Sequence, residues 1–176
     1  QVIPRYFSTD SFGKDEKEFL NLNFQNYRDL TRAIFMKGYQ WPFDPSRIAG
    51  SGSSHIDLLV WEEKVKKGRK VFMDFRKNLT WQEKDTFNPS ELDPLARDYL
   101  ESSGSLKATP LERLLAMNRP AYELYRDHGI DLASEPLEIG ICAQHNNGGL
   151  KADIWWESDI KHLFPVGEVN GSHGVS

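Results

Sequence analysis

Thr109-Pro-Leu-Glu-Arg-Leu-Leu-Ala-Met-Asn-Arg-Pro-Ala-Tyr-Glu-Leu-Tyr-Arg-Asp-His-Gly129 decides the fold class, because the apolar period changes after it. Thr109 is a helix cap, and Pro110 takes the first turn, where its missing N–H costs nothing. Glu112 stands three residues after Thr109, the capping-box spacing. Leu111, Leu114, Leu115, Tyr122 and Leu124 supply apolar faces, Pro120 is placed to kink or split the helix, and Gly129 ends it. Short strand-like runs follow: Leu137–Ala143, Gly149–Ile154 and Leu163–Val166.

Upstream, helical spacing dominates. Phe19, Leu20, Phe24, Tyr27, Leu30, Ile34 and Phe35 recur at three- and four-residue intervals and predict a helix over 14–38, stopped by Gly38 and Pro42. Residues 1–13 read as loop, with Pro4, Gly13 and Ser8-Thr-Asp-Ser11, and 39–54 read the same way. The run Val71–Phe75 reads as a strand; Ile56–Trp61 fits either a strand hairpinned to it or a short helix. Residues 88–102 read as a helix capped by Asn88 or Ser90. Helices first and short strands afterwards imply an α+β fold.

The 176 residues suffice for a domain with a real core, and 39% hydrophobic with 27% charged residues is ordinary for a globular protein. A net charge of -4 gives no basis for nucleic-acid binding by bulk electrostatics. No apolar run reaches transmembrane length. The single cysteine, Cys142, cannot form an internal disulfide, so a cytoplasmic setting is expected. The chain starts at Gln1 and ends after His173-Gly-Val-Ser176, and we expect it to be a fragment of a longer polypeptide.

Local metal and nucleophile chemistry finds no pattern. The five His (55, 128, 145, 162 and 173) are too far apart for a ligand motif, and Cys142 lacks a CxxC partner. Ser51-Gly-Ser-Ser54 is a flexible loop and not a nucleophile elbow. No Gly-rich phosphate loop of Rossmann or Walker type follows a strand. Trp155-Trp156 and Tyr39-Gln-Trp41 fit core or interface better than base stacking.

The informative motifs lie elsewhere. The last third reads Ala143-Gln-His-Asn-Asn-Gly-Gly149, then His162-Leu-Phe-Pro-Val-Gly-Glu-Val-Asn-Gly-Ser-His-Gly-Val-Ser176. Earlier come Tyr27-Arg-Asp-Leu-Thr-Arg-Ala-Ile34, Val71-Phe-Met-Asp-Phe-Arg76, Gly129-Ile-Asp131 and Glu135-Pro136. In this order the segments resemble the fumarate reductase / succinate dehydrogenase / L-aspartate oxidase flavoproteins, from about residue 24 onward and most closely over 143–176. The resemblance implies a capping, substrate-side region over 1–142 and a returning segment of an FAD-binding domain over 143–176. It also implies FAD as cofactor and hydride transfer between flavin and a small carboxylate-bearing substrate.

Roles follow by the same resemblance. Arg28 matches the residue that protonates the substrate carbon, with Asp29 beside it. An Arg is almost never deprotonated, so the role needs a carboxylate relay or a cation that stabilises developing negative charge. Arg32, one turn later, reads as structural. His145 matches the residue that hydrogen-bonds a substrate carboxylate, and Gly148 and Gly149 allow close approach of backbone to ligand. Gly167 matches the residue that lets the isoalloxazine near the backbone, and Glu168 the acceptor for a ribityl hydroxyl. His173 and Gly174 match a His-Gly-x-x-Arg segment that holds the second carboxylate.

One departure stands out. The dicarboxylate enzymes read His-Tyr/Pro-Thr-Met-Gly-Gly, whereas His145-Asn-Asn-Gly-Gly149 is one residue shorter and has no Thr. That favours a related flavin enzyme for another substrate over strict fumarate chemistry. A non-catalytic interaction domain is the alternative from another class. The partners expected are the substrate and the rest of the FAD-binding domain. With no pyrophosphate-binding βαβ start, the fragment alone is expected to be inactive.

Overall fold

The computed structural model describes residues 1–40, 43–82, 87–142 and 149–170, except the side chain of Glu168. The chain divides into two units, Gln1–Ile141 and Cys142–Ser176. The first is mixed α+β, as the element order predicts. Three antiparallel strands, β1 (Arg5–Thr9), β2 (Lys70–Asp74) and β3 (Leu137–Ile139), form a sheet in that order. Its register sets Arg5 opposite Asp74, Phe7 opposite Phe72, and Val71 opposite Ile139. The α-helices are α1 (Tyr27–Tyr39), α2 (Ser53–Trp61), α3 (Pro94–Ser102) and α4 (Pro110–Asp127). Among the described residues no helix is long and apolar enough to cross a membrane.

The core follows from which faces those elements bury. Tyr6 and Val71 of the sheet meet Leu30, Ile34 and Phe35 of α1, Ile56 and Val60 of α2, and Ala96 and Leu100 of α3. A second cluster joins Val2, Phe75 and Leu132 to Leu111, Leu114 and Met117 of α4. Arg113 is fully buried between them and saturates its donors on backbone. It reaches Val2 O at 2.9 Å, Lys107 O at 2.8 Å, Ala108 O at 3.1 Å, Ile3 O at 3.4 Å and Asn78 Oδ1 at 2.8 Å. Its guanidinium lies 3.9 Å from the Phe87 ring centre, and burial lowers its pKa to about 10.

Several expectations are corrected. Residues 1–13 contain β1; Tyr6, Phe7, Ser8 and Thr9 are all buried, so the strand lacks the alternation that would announce it. The helix expected over 14–38 starts only at Tyr27, where the Asn26 side chain accepts from Asp29 N. Before it, Lys17 bridges Ser8 by paired backbone bonds of 2.8 and 2.9 Å. Phe19, Leu20 and Phe24 are buried from turns, so helical spacing persists there without a helix. The run Ile56–Trp61 belongs to a helix, α2. The helix expected over 88–102 is a 3-10 turn, Pro89–Glu91, capped by Asn88, followed by α3 capped by Asp93.

In α4 the capping box of Thr109 and Glu112 is present in both directions. The break falls at Asn118, two residues before Pro120, because the proline ring cannot coexist with the preceding helical turn. Asn118 Oδ1 accepts from Ala121 N at 3.2 Å and restarts the helix. Gly129, at φ +81°, takes the left-handed conformation that closes the C-terminal end. The strand expected over 137–143 is described only as β3, and Ala143 lies outside the described residues. Neither Gly149–Ile154 nor Leu163–Val166 forms a strand; Leu150 makes an isolated parallel bridge with Asn170. Extended segments become strands only where a ladder partner runs alongside for several residues, and the described part of this unit provides a single pair.

Candidate functional site

Arg28 stands in the first turn of α1. Asn26 fixes that turn: its Oδ1 accepts from Asp29 N at 2.8 Å, and its Nδ2 donates to Asp29 Oδ2 at 2.9 Å. Asp29 is thereby held by the cap, and the Thr31 hydroxyl donates to the Arg28 carbonyl at 3.0 Å. The Arg28 side chain is exposed and makes no ion pair or hydrogen bond among the described residues. Arg32 instead lies 3.5 Å from the buried carboxylate of Asp93, the cap of α3, which is a structural tie.

The remaining candidates lie in the second unit. His145, Gly148 and His173 are outside the described residues. Gly149 precedes Leu150, whose N–H donates to Val169 O at 2.8 Å, while Leu150 bridges Asn170 in parallel. This pairing sets Gly149 beside the Gly167–Val169 turn, so two segments about twenty residues apart in sequence meet at their glycines. The turn also carries the Glu168 backbone.

Gly167 has φ +70°, a conformation that L side chains rarely adopt. No atom lies within 4 Å of where a Cβ would project, so the space in front of it is open. Between the two segments the chain turns on Asp153. Its carboxylate accepts from Trp155 N at 2.8 Å and Glu157 N at 3.0 Å, and its own N–H donates to Glu157 O at 2.9 Å. Glu157 in turn accepts from His162 N at 2.6 Å.

Two features escaped the sequence. Asn170 is buried behind the Gly167–Val169 turn, and nothing in its local spacing announces that. In the first unit, an apolar cleft of about 370 Å³ is lined by Tyr6, Ile34, Ile56, Val60 and Met73, with the Lys37–Asp57 ion pair (2.6 Å) in its wall. Burial raises the pKa of Asp57 despite Lys37, and burial with the Asp57 charge raises Tyr6 well above the usual phenol range. Its lining is drawn from both ends of the unit, so no local motif encodes it.

Comparison with known proteins gives local matches. The fumarate reductase (CoM/CoB) flavoprotein chain of Methanothermobacter marburgensis is 42% identical over 53 residues, 30% of this chain and 10% of that protein. L-aspartate oxidase of Vibrio cholerae serotype O1 is 35% identical over 57 residues, 31% of this chain and 11% of that protein. Each match thus spans about a tenth of the curated relative. No family model matches, and no solved structure does. The similarity relates the chain to oxidoreductases of the flavoprotein kind that its motifs resemble, over about a third of its length.

Proposed function

We propose that this chain is part of an FAD-dependent oxidoreductase of the fumarate reductase / succinate dehydrogenase / L-aspartate oxidase type, acting on a carboxylate-bearing substrate. Residues 1–142 are its capping, substrate-side region, and 143–176 return to its FAD-binding domain. The observation that carries this reading is the Leu150–Asn170 bridge, which sets Gly149 beside the Gly167–Val169 turn. The local similarity to two oxidoreductases supports it.

The residues fit the cofactor where they are described. Gly167 offers backbone without a side chain and open space before it, as a flat ring system requires. When bound, the flavin supplies the redox chemistry, giving or accepting a hydride. The chain supplies binding and charge. Arg28 brings a permanent cation unclaimed by a neighbouring carboxylate; it stabilises negative charge on the substrate or passes on a proton delivered to it. His145 and His173 hold the substrate carboxylates.

The exposed apolar side chains of the second unit support a further body of protein as its partner. Ile154 is 84% exposed, Trp155 76%, Ile160 65% and Val166 69%. So many large apolar groups on so short a segment mark a surface that other protein covers, and we assign that cover to the rest of the FAD-binding domain. The isolated 176 residues are therefore expected to carry no flavin.

The test uses the full-length protein. Its flavin is reduced anaerobically and mixed with fumarate, and flavin absorbance is followed. Rapid reoxidation establishes a fumarate-type reductase. Bound flavin without reoxidation keeps the flavoenzyme and points to another carboxylate, as the Asn146-Asn147 departure suggests. No bound flavin overturns the proposal in favour of an interaction domain, and a yellow preparation of the isolated residues overturns the division of labour between fragment and remainder.

A further inference from the structure

Asn170 is 2% exposed, in a unit whose large apolar side chains stand mostly in water. Burying an amide is unfavourable unless it is hydrogen-bonded, and a core-filling role is better served by an apolar residue. Asn170 is hydrogen-bonded on both sides of one short turn. Its backbone N–H donates to Gly167 O at 3.1 Å, and its Nδ2 donates to Pro165 O at 3.4 Å. The same residue bridges Leu150, just past Gly149. It therefore ties together three points: the entry to the turn at Pro165, the left-handed Gly167, and the segment that follows the glycine pair.

The two sides of this turn differ. Behind Gly167 is the buried amide of Asn170; in front of it nothing lies within 4 Å of a Cβ position. A turn meant only to reverse the chain at a surface needs no buried polar anchor. A turn that must present its backbone at a fixed angle to a rigid ligand does, because a site is held by the packing and hydrogen bonds of the residues behind it.

We infer that Asn170 is a positioning residue for the cofactor: its buried amide locks the Gly167–Val169 turn in the conformation that meets the flavin. The inference rests on the flavoprotein reading above. Asn170 touches no reacting atom; it acts through the backbone of Gly167.

The experiment uses full-length protein, stripped of flavin and titrated with FAD, as wild type, Asn170→Ala and Asn170→Ser. Serine keeps a polar group but is too short to reach the Pro165 carbonyl. Three quantities are read: the FAD dissociation constant, the visible spectrum of the bound flavin, and the melting temperature of the flavin-free protein. Both variants are expected to bind FAD roughly tenfold more weakly, the scale of one lost hydrogen bond. Both should shift the flavin absorption bands, while the flavin-free melting temperature stays within a few degrees. A merely structural asparagine would lower the melting temperature and leave the spectrum of bound flavin unchanged, and that result overturns the inference. So do dissociation constants within twofold of wild type. If Asn170→Ala fails to fold, Asn170→Ser decides by the same criteria. If wild-type protein binds no FAD, the flavoprotein reading itself falls and takes this inference with it.

Discussion

Arg113 and Trp155 sit at opposite ends of the same scale. Arg113 is charged and fully buried, with its donors spent on backbone carbonyls; Trp155 is apolar and 76% exposed. The first belongs to a unit whose sheet, α1, α2 and α3 close on one core, and whose polar interior is hydrogen-bonded. The second belongs to a unit held by backbone turns, one bridge and the Asp153 loop, with its large side chains in water. The difference teaches that the two stretches meet different requirements. The first carries its own stability; the second carries conformational detail, at Gly167 and Asn170, whose purpose lies in what it faces.

Substitutions can break or sharpen this contrast. The largest effect is expected from Arg113→Ala, which strands several buried carbonyls and empties the space beside Phe87. Destabilisation of about 3 to 5 kcal/mol should follow, read by urea unfolding of the 176-residue chain. A cost below 1 kcal/mol would mean that the strut is not structural and that the first unit is not built around it.

Asp74→Ala comes next. Burial alone would raise the Asp74 pKa, but the Arg76 side chain and backbone N–H outweigh it and hold the carboxyl below its ordinary value of 3.8. The variant should lose about 2 kcal/mol near neutral pH. The sign of the pH dependence follows from the lowered pKa. The wild-type advantage is fully present above pH 3.8 and fades as pH falls through the lower folded-state value. Unfolding curves for both proteins from pH 6 to pH 2 should therefore converge, and parallel curves would remove the ion pair from the account.

Thr109→Ala removes half of the capping box and is expected to cost about 1 kcal/mol, measured in the same way. The smallest effect belongs to the second unit. Ile154→Ser, at a side chain already 84% exposed, should change the stability of the isolated chain by no more than about 0.5 kcal/mol. A larger loss would show that this surface is covered within the fragment and needs no further protein.

What the sequence disclosed was whatever local chemistry could write. Thr109, Pro110 and Glu112 announce α4 because a cap and a first turn are settled within four residues. Val71–Phe75 announces β2 in the same way, give or take a residue at each end. The strand β1 was hidden because packing on both sides of it removes the apolar–polar alternation. The onset of α1 was hidden because Phe19 and Phe24 keep helical spacing while their burial comes from tertiary contacts of a turn. Arg28 could be picked out by its motif, but not the cap that takes Asp29 out of contention as its partner; that required the geometry of Asn26. Asn170 was illegible because its role is set by a bridge to a residue twenty positions earlier.

The interruption of α4 has a mechanical consequence. An unbroken helix transmits rotation from end to end because each turn is bonded to the next. At Asn118 the backbone leaves helical geometry, and Pro120 has no N–H to restore the bond. The half that holds Arg113 is pinned to the start of the chain, while the half that carries Tyr122 is tied by its hydroxyl to Asp131 at 3.1 Å. Torque applied to one half is dissipated at the joint, so α4 works as two short levers on a common pivot, and a push on Tyr122 leaves the Arg113 strut at rest.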